Sequence, residues 1–223
     1  GSTMESESPE VRWLGRVPYL KTLLLQRRMR ARLLAGVGEE CLLLVEHPPV
    51  VTLGRRAGPE DLSLPVASLR RRGVGVYRIE RGGRATWHGP GQLVGYPILS
   101  LTQRRIGSAS FVSWLSTWLQ ERLGELGVDA RYSEEAPGLW APGGKIAALG
   151  LHTHRGVTLH GFSLNLDPSL DWLDWLDPCG LGERGVTSVS REGGGAPSVV
   201  ALARRFQALG FPVPKGSSHK PRV

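Results

Sequence analysis

The stretch KIAALGLHTHRGVTLHGFSLNL, Lys145 to Leu166, decides the fold. Two β-like runs, Lys145–His154 and Val157–Leu166, meet at Arg155-Gly156, a dipeptide suited to a hairpin turn. Outward from it the chain mixes helix and strand periodicities. Ser198 begins a last helix that ends at Gly210, a residue suited to a helix stop. Upstream, Ser108 or Ser110 caps a helix to about Leu126, with Phe111, Trp114, Leu115, Trp118, Leu119 and Leu123 on one stripe, read as core. Further back, Val11–Gly15, Cys41–Val45, Val50–Leu53 and Val74–Ile79 read as strands and Leu64–Arg72 as a helix. Pro18 can open another helix, to about Ala35. It turns Leu20, Leu23, Leu24, Met29 and Leu33 inward and Lys21, Arg27, Arg28, Arg30 and Arg32 outward. Interleaved strands and helices, with the hairpin late, indicate an α/β or α+β domain.

With 223 residues, 40% apolar and 22% charged, the chain has the composition of a soluble globular protein. Apolar runs such as Cys41 to Val45 fall far short of the ~20 residues of a membrane helix. The first ten residues are polar and hold Glu5, Glu7 and Glu10, unlike a secretory signal. Residues 1–3 are expected to be a cloning remnant and 1–10 a flexible end, followed by one domain over 11–211 and a flexible basic tail over 212–223. The two cysteines, Cys41 and Cys179, cannot build a disulfide framework, which suits a reducing compartment. The net charge is +8; the first ten residues carry three acids and no base, so the rest carries +11. Such a balance favours acidic partners: nucleic acid, an anionic membrane or acidic proteins.

Several chemistries lack a motif. Gly143-Gly144-Lys145 is followed by Ile146 and has no earlier glycine at phosphate-loop distance, and Gly73 and Gly75 lack the third glycine of a dinucleotide fingerprint. H-E-x-x-H, C-x-x-C and G-x-S-x-G do not occur. His152 and His154 share a strand face without a third ligand in any recognised pattern, so no metal is expected.

Three segments stand out. In Arg81-Gly82-Gly83-Arg84-Ala85-Thr86-Trp87-His88-Gly89-Pro90-Gly91-Gln92, four glycines and a proline strip away side-chain bulk. Such a main chain can press against a ligand and offer its N–H groups, or make a tight turn between two strands. In Pro178-Cys179-Gly180-Leu181-Gly182, the cysteine lies in a loop, which leaves its sulfur accessible. Cys41, inside an apolar run, reads instead as a small buried hydrophobe. In Gly143-Gly144-Lys145-Ile146-Ala147-Ala148-Leu149-Gly150, a lysine heads an apolar strand. It is either a solvated strand start or an amine held near a thiol, where it would lower the cysteine pKa and exchange protons.

Arg81–Tyr96, the Lys145-Ile146 strand, Thr158-Leu159-His160-Gly161 and Pro178-Cys179-Gly180 together resemble the lipoyl(octanoyl) transferases. These are the octanoyl-acyl-carrier-protein:protein N-octanoyltransferases of lipoic acid synthesis. His47–Gly54 and Gly185-Val186-Thr187-Ser188 match segments of that family too. The likeness spans roughly residues 11 to 210 and rests on a long Arg-Gly-Gly-x-x-Thr-aromatic-His-x-x-Gly-Gln signature.

The resemblance implies a mixed β-sheet flanked by helices, similar to the catalytic domains of biotin protein ligases and lipoate-protein ligases. It makes Cys179 the acyl-thioester nucleophile and Lys145 the group that lowers its pKa. It lines the acyl pocket with Arg81, Gly82, Gly83, Arg84, Ala85, Thr86, Trp87 and His88, then Ala148, Leu149 and Gly150, then Gly161, Phe162 and Ser163. The implied donor is octanoyl-acyl carrier protein. The implied acceptors are lipoyl domains of 2-oxoacid dehydrogenase complexes and the glycine cleavage H protein, in the cytoplasm, with no ATP, cofactor, nucleic acid or membrane. Arg27, Arg28, Arg30 and Arg32, or Arg70–Arg72, would steer an acidic donor.

Three rival readings use the same residues. An ATP-dependent lipoate or biotin ligase of the same fold would need no cysteine. A basic nucleic-acid-binding domain has only charge behind it. A cysteine hydrolase would pass acyl groups to water, with His160 or His88 as base.

Overall fold

The computed structural model describes residues 8–176, 185–195 and 197–216. The chain runs β1 (Glu10–Arg16), α1 (Tyr19–Leu34), β2 (Cys41–Glu46), β3 (Val50–Leu53), α2 (Val66–Arg71), β4 (Gly75–Arg78), β5 (Ala85–His88) and β6 (Gln92–Ile98). It continues with α3 (Leu101–Arg104), α4 (Ser108–Glu125), β7 (Arg131–Ser133), β8 (Gly138–Ala141), β9 (Gly144–His154), β10 (Val157–Asn165) and α5 (Val199–Leu209). Seven strands in the order β1-β2-β6-β10-β9-β8-β7 make a mixed sheet, parallel at β1–β2 and antiparallel at the other pairs. A small second sheet, β4-β3-β5, pairs β3 parallel to β4 and antiparallel to β5. The hairpin turn at Arg155 and Gly156 puts both residues at positive φ, 49° and 80°, the twist that two-residue hairpins favour.

Period-two sorting builds the core. In β2, Leu42 and Leu44 face one side and Cys41, Leu43 and Val45 the other, all buried. A strand apolar on both faces belongs in mid-sheet between helical layers. On the first side lie α4 and α5, through Phe111, Leu115, Trp118, Leu119 and Phe206. The α4 stripe is core, as expected, and Trp118 meets Phe206 edge-on at 4.8 Å between centroids. On the second side lies α1, through Tyr19, Leu23 and Leu33. The small sheet shares a separate core with α2, where Trp87 stacks on Trp172 at 5.0 Å.

Two expectations change. On α1, Leu20 is 43% and Leu24 58% exposed, while Thr22 and Gln26 are buried. Hydrogen bonding sets that phase: Gln26 Oε1 accepts from the His160 N–H at 2.9 Å, and Thr22 Oγ1 donates to Tyr19 O at 2.7 Å. Neither Ser108 nor Ser110 caps α4; Gly107 is the N-cap, with no side-chain bond.

Past the boundary read at 211, the chain stays packed through Gly216. Phe211 and Val213 are buried, and the Gly216 N–H donates to Arg104 O. Arg104, itself buried, grips both Glu40 carboxylate oxygens at 2.9 Å and donates through Nη1 to Val213 O at 2.9 Å. Among the described residues no helix is long and apolar enough to cross a membrane.

Candidate active site

β9, β10, β5 and the loop before β5 line a cavity of about 540 Å³. Arg81 through His88, Ala148 through Gly150, Gly161 through Ser163 and Lys145 all border it. Three separate stretches of chain, each singled out in the sequence, therefore meet. Cys179 lies outside the described residues, but Leu176 and Val186, on either side of it in sequence, border the same cavity.

Lys145 reaches the cavity through an irregularity. Leu139 of β8 pairs with Ala147, but the next residue, Trp140, pairs with Lys145, which leaves Ile146 as an extra residue in β9. A bulge re-aims side chains: Ile146 and Ala147 are both buried in the main core, while Lys145, set opposite Trp140 instead of the core residue Ala141, borders the cavity. The main chain of Lys145 is clamped on its far edge. Its N–H donates to Gly185 O at 3.1 Å, and the Thr187 N–H donates to its carbonyl at 3.0 Å. Burial, and then the Arg81 charge, push its amine down to about 8.

Arg81 is only 7% exposed, and its hydrogen bonds go to neutral acceptors. Nη2 donates to Thr52 O, Thr52 Oγ1 and Arg84 O at 2.8–3.0 Å, and Nη1 donates to Gly82 O at 2.9 Å. The side chain thereby stitches its own loop onto β3. The N–H groups of Gly54, Arg55 and Arg56 complete the seam by donating to Arg84 O, Arg81 O and Gly83 O. A Cβ on Gly54 would strike Gly83 O and the Arg81 guanidinium. The close main-chain approach foreseen for Arg81–Gln92 is thus made in part against the protein itself, and β5 followed by a turn into β6 realises the strand alternative as well. Burial pushes Arg81 down to about 10, so the guanidinium stays charged at neutral pH.

His88 donates from Nδ1 to Gln92 Oε1 at 2.7 Å; that role follows because Gln92 Nε2 donates to Trp87 O and Asn165 Oδ1. Burial, then neighbouring His47, push His88 down to about 3, so the ring is neutral across the physiological range. His47 donates from Nδ1 to Val17 O and accepts from the Tyr96 hydroxyl at 2.7 Å, and burial pushes it down to about 4. His160 takes a left-handed φ of 60° in mid-strand, held by the Gln26 bond. Its Nε2 stands 3.6 Å from Glu80, whose carboxyl it holds well below the usual carboxylate range, and Glu80 also accepts from Arg27 at 3.3 Å. Cys41 is buried and its thiol pushed up to about 11, so it is a packing residue.

Sequence reasoning missed Tyr19, Thr52, Tyr96 and Asn165, which also border the cavity. Thr52, a polar residue within the otherwise apolar β3, carried a readable signal; Tyr19 carried none. The arrangement sets an amine lowered by burial and a buried cation in a cavity whose walls are part polar and part apolar.

The family described as Lipoyl protein ligase A/B catalytic domain matches residues 18–208. Relatives named Octanoyltransferase include one from Alkaliphilus metalliredigens, 43% identical over 177 residues, which is 79% of this chain and 81% of that protein. Another, from Geobacter sulfurreducens, is 44% identical over 200 residues, 88% of this chain and 82% of that protein. Among solved structures, lipoate-protein ligase A bound with ATP superposes with a TM-score of 0.71 at 20% identity, over 90% of this chain and 85% of that one. A bi-partite lipoate protein ligase from Thermoplasma acidophilum gives 0.60 at 17% identity, over 92% and 82%. The structural likeness fixes the fold, and the sequence relatives fix the group within it. Their agreement over most of the chain means that this protein belongs to the lipoyl protein ligase A/B catalytic-domain family, among its octanoyltransferases, and is an acyltransferase.

Proposed function

We propose that this protein moves an octanoyl group from octanoyl-acyl carrier protein to a lysine of lipoyl domains through a thioester on Cys179. The observation that carries the reading is the Lys145 amine, lowered to about 8 at the edge of the cavity. At pH 7 such an amine is neutral in about one molecule in ten, against fewer than about one in a thousand for an ordinary lysine. The flanks of the Cys179 segment, Leu176 and Val186, border that cavity and support the pairing of the two groups.

In the first half-reaction the Cys179 thiol passes its proton to Lys145, and the thiolate attacks the carbonyl carbon of the donor thioester. The carrier's C–S bond breaks and its sulfur takes the proton from the Lys145 ammonium. In the second, the neutral amine of the acceptor lysine attacks the Cys179 thioester. Lys145 accepts the amine's proton, the C–S bond breaks, and an amide forms as Cys179 leaves as thiolate. Thioester to thioester is nearly balanced and thioester to amide runs downhill, so no ATP enters. Burial of six or seven methylenes at ~0.8 kcal/mol each gives roughly 5 kcal/mol for holding the chain.

Helix α1 contains five bases and no acid, and Arg28 and Arg32 are exposed. Arg27 reaches Glu80 beside the cavity. This face would draw an acidic carrier toward the site. The acceptors in this reading are lipoyl domains of 2-oxoacid dehydrogenase complexes and the glycine cleavage H protein. A thiol nucleophile is kept reduced in the cytoplasm. In this reading the catalytic domain is residues 11–211, flanked by Glu10 at the start of β1 and by the packed segment through Gly216.

Intact mass after mixing with octanoylated carrier, without ATP or metal, tests the scheme. The expected result is an octanoyl adduct on the parent, absent from Cys179→Ala and discharged by an apo lipoyl domain. No adduct, with octanoate activated only when ATP is supplied, would replace it by the ligase reading.

A further inference from the structure

Gly138 opens β8 with a φ of 146°, a conformation that L side chains rarely adopt. A Cβ there would strike Lys145 Cε and the Ala147 carbonyl oxygen, and would stand 3.3 Å from Lys145 Nζ. Although Trp140 is the cross-strand partner of Lys145, the far end of the lysine lies beside the α-carbon of Gly138. Bulge and glycine act together: the extra residue in β9 turns the lysine, and the bare α-carbon in β8 gives its end a place to lie. Gly138 is not free to retreat. The turn before it, Glu135 to Pro137, borders the cavity, and Trp140 Nε1 donates to Ala136 O at 2.9 Å.

We propose that Gly138 is a positioning residue for the reaction: its missing side chain forms the trough that keeps the Lys145 amine in the cavity. The inference rests on the reading of Lys145 as the proton-transfer group. Any L side chain at 138 would push the amine out of its place among the groups that share the cavity. Those able to carry charge there are Arg81 and Arg84 from the loop before β5, Arg56 after β3, Glu135 from the β7–β8 turn, His88 of β5, His160 of β10 and Tyr19 and Tyr96.

The test compares Gly138→Ala with the parent by two readouts. Trace labelling of the Lys145 amine with acetic anhydride between pH 6 and 11, followed by peptide mass, reads its ionisation without any acyl substrate. The midpoint should climb from about 8 toward the ordinary lysine value of about 10.4. Octanoyl transfer at pH 7 should fall on the order of 100-fold, the cost of a small misplacement in a positioned site. A folded Gly138→Ala with the parent's labelling curve overturns the proposal. A shifted curve with undiminished transfer upholds the trough and overturns the proton-transfer role of Lys145, so the two failures are distinct. Should Gly138→Ala not fold alone, it is placed in Lys145→Met and Lys145→Ala backgrounds, both uncharged. It should lower Tm more beside the long side chain, and equal losses would overturn the proposal.

Discussion

Lys145→Met should make this protein more stable at neutral pH while abolishing its transfer activity. Methionine keeps the length and volume of the lysine stem but carries no charge. In the folded protein the amine titrates at about 8; unfolded, it titrates near the ordinary value of about 10.4. Below the folded value both states are protonated, and the fold bears the full cost of holding a desolvated cation. That difference, at ~1.4 kcal/mol per pH unit, comes to about 3 kcal/mol at pH 7. As pH rises through 8 the folded amine loses its proton while the unfolded one keeps it, so the cost shrinks, to under about 1 kcal/mol at pH 10. Urea unfolding of both proteins, followed by tryptophan fluorescence at the two pH values, reads the effect as a difference of differences. Stabilisation that is largest at pH 7 and fades toward pH 10 is expected. A stability gap that is flat with pH, or one that grows with alkalinity, would refute the claim that burial and Arg81 hold the amine down.

Two further perturbations address other parts of the molecule. Arg104→Ala leaves the Glu40 carboxylate and the Val213 carbonyl without their buried partner, and should cost about 3–5 kcal/mol in urea unfolding. Faster proteolysis near residue 213 should accompany it, and a loss below about 1 kcal/mol would show that the clamp does not hold this end. Arg28→Glu, on the exposed face of α1, should raise KM for octanoylated carrier on the order of tenfold at low salt. The difference should vanish in high salt, with a small octanoyl thioester turned over as before; an unchanged KM for the carrier would remove α1 from docking.

What could be read from the chain followed the strength of local pattern. The β9–β10 hairpin, β2, the aromatic stripe of α4 and the Ser198–Gly210 helix carry strong periodicity or capping, and their bounds match within a residue or two. The cavity residues were legible because a long signature marks Arg81–His88 and because Lys145 heads an otherwise apolar strand. Helix α1 was misread because hydropathy sends Thr22 and Gln26 outward, whereas the backbone N–H at His160 needs an acceptor 134 positions away in sequence. The bulge at Ile146 and the seam from Gly54–Arg56 to Arg81–Arg84 have no local signature. Each exists only once two distant segments are in register.

β9 is also a ruler. Beyond the bulge at Ile146, Ala147 to Gly150 run as regular strand, about 10 Å of backbone at ~3.4 Å per residue. The ladder to β10 fixes the graduations, with Ala148 opposite Ser163 and Gly150 opposite Gly161. Sliding the strand by a single notch would turn every side chain to the wrong face, so the scale cannot creep. Under the function proposed above, a relative tuned to a shorter or longer chain would keep its lysine in place and change the side chain at one graduation, leaving the backbone where it is.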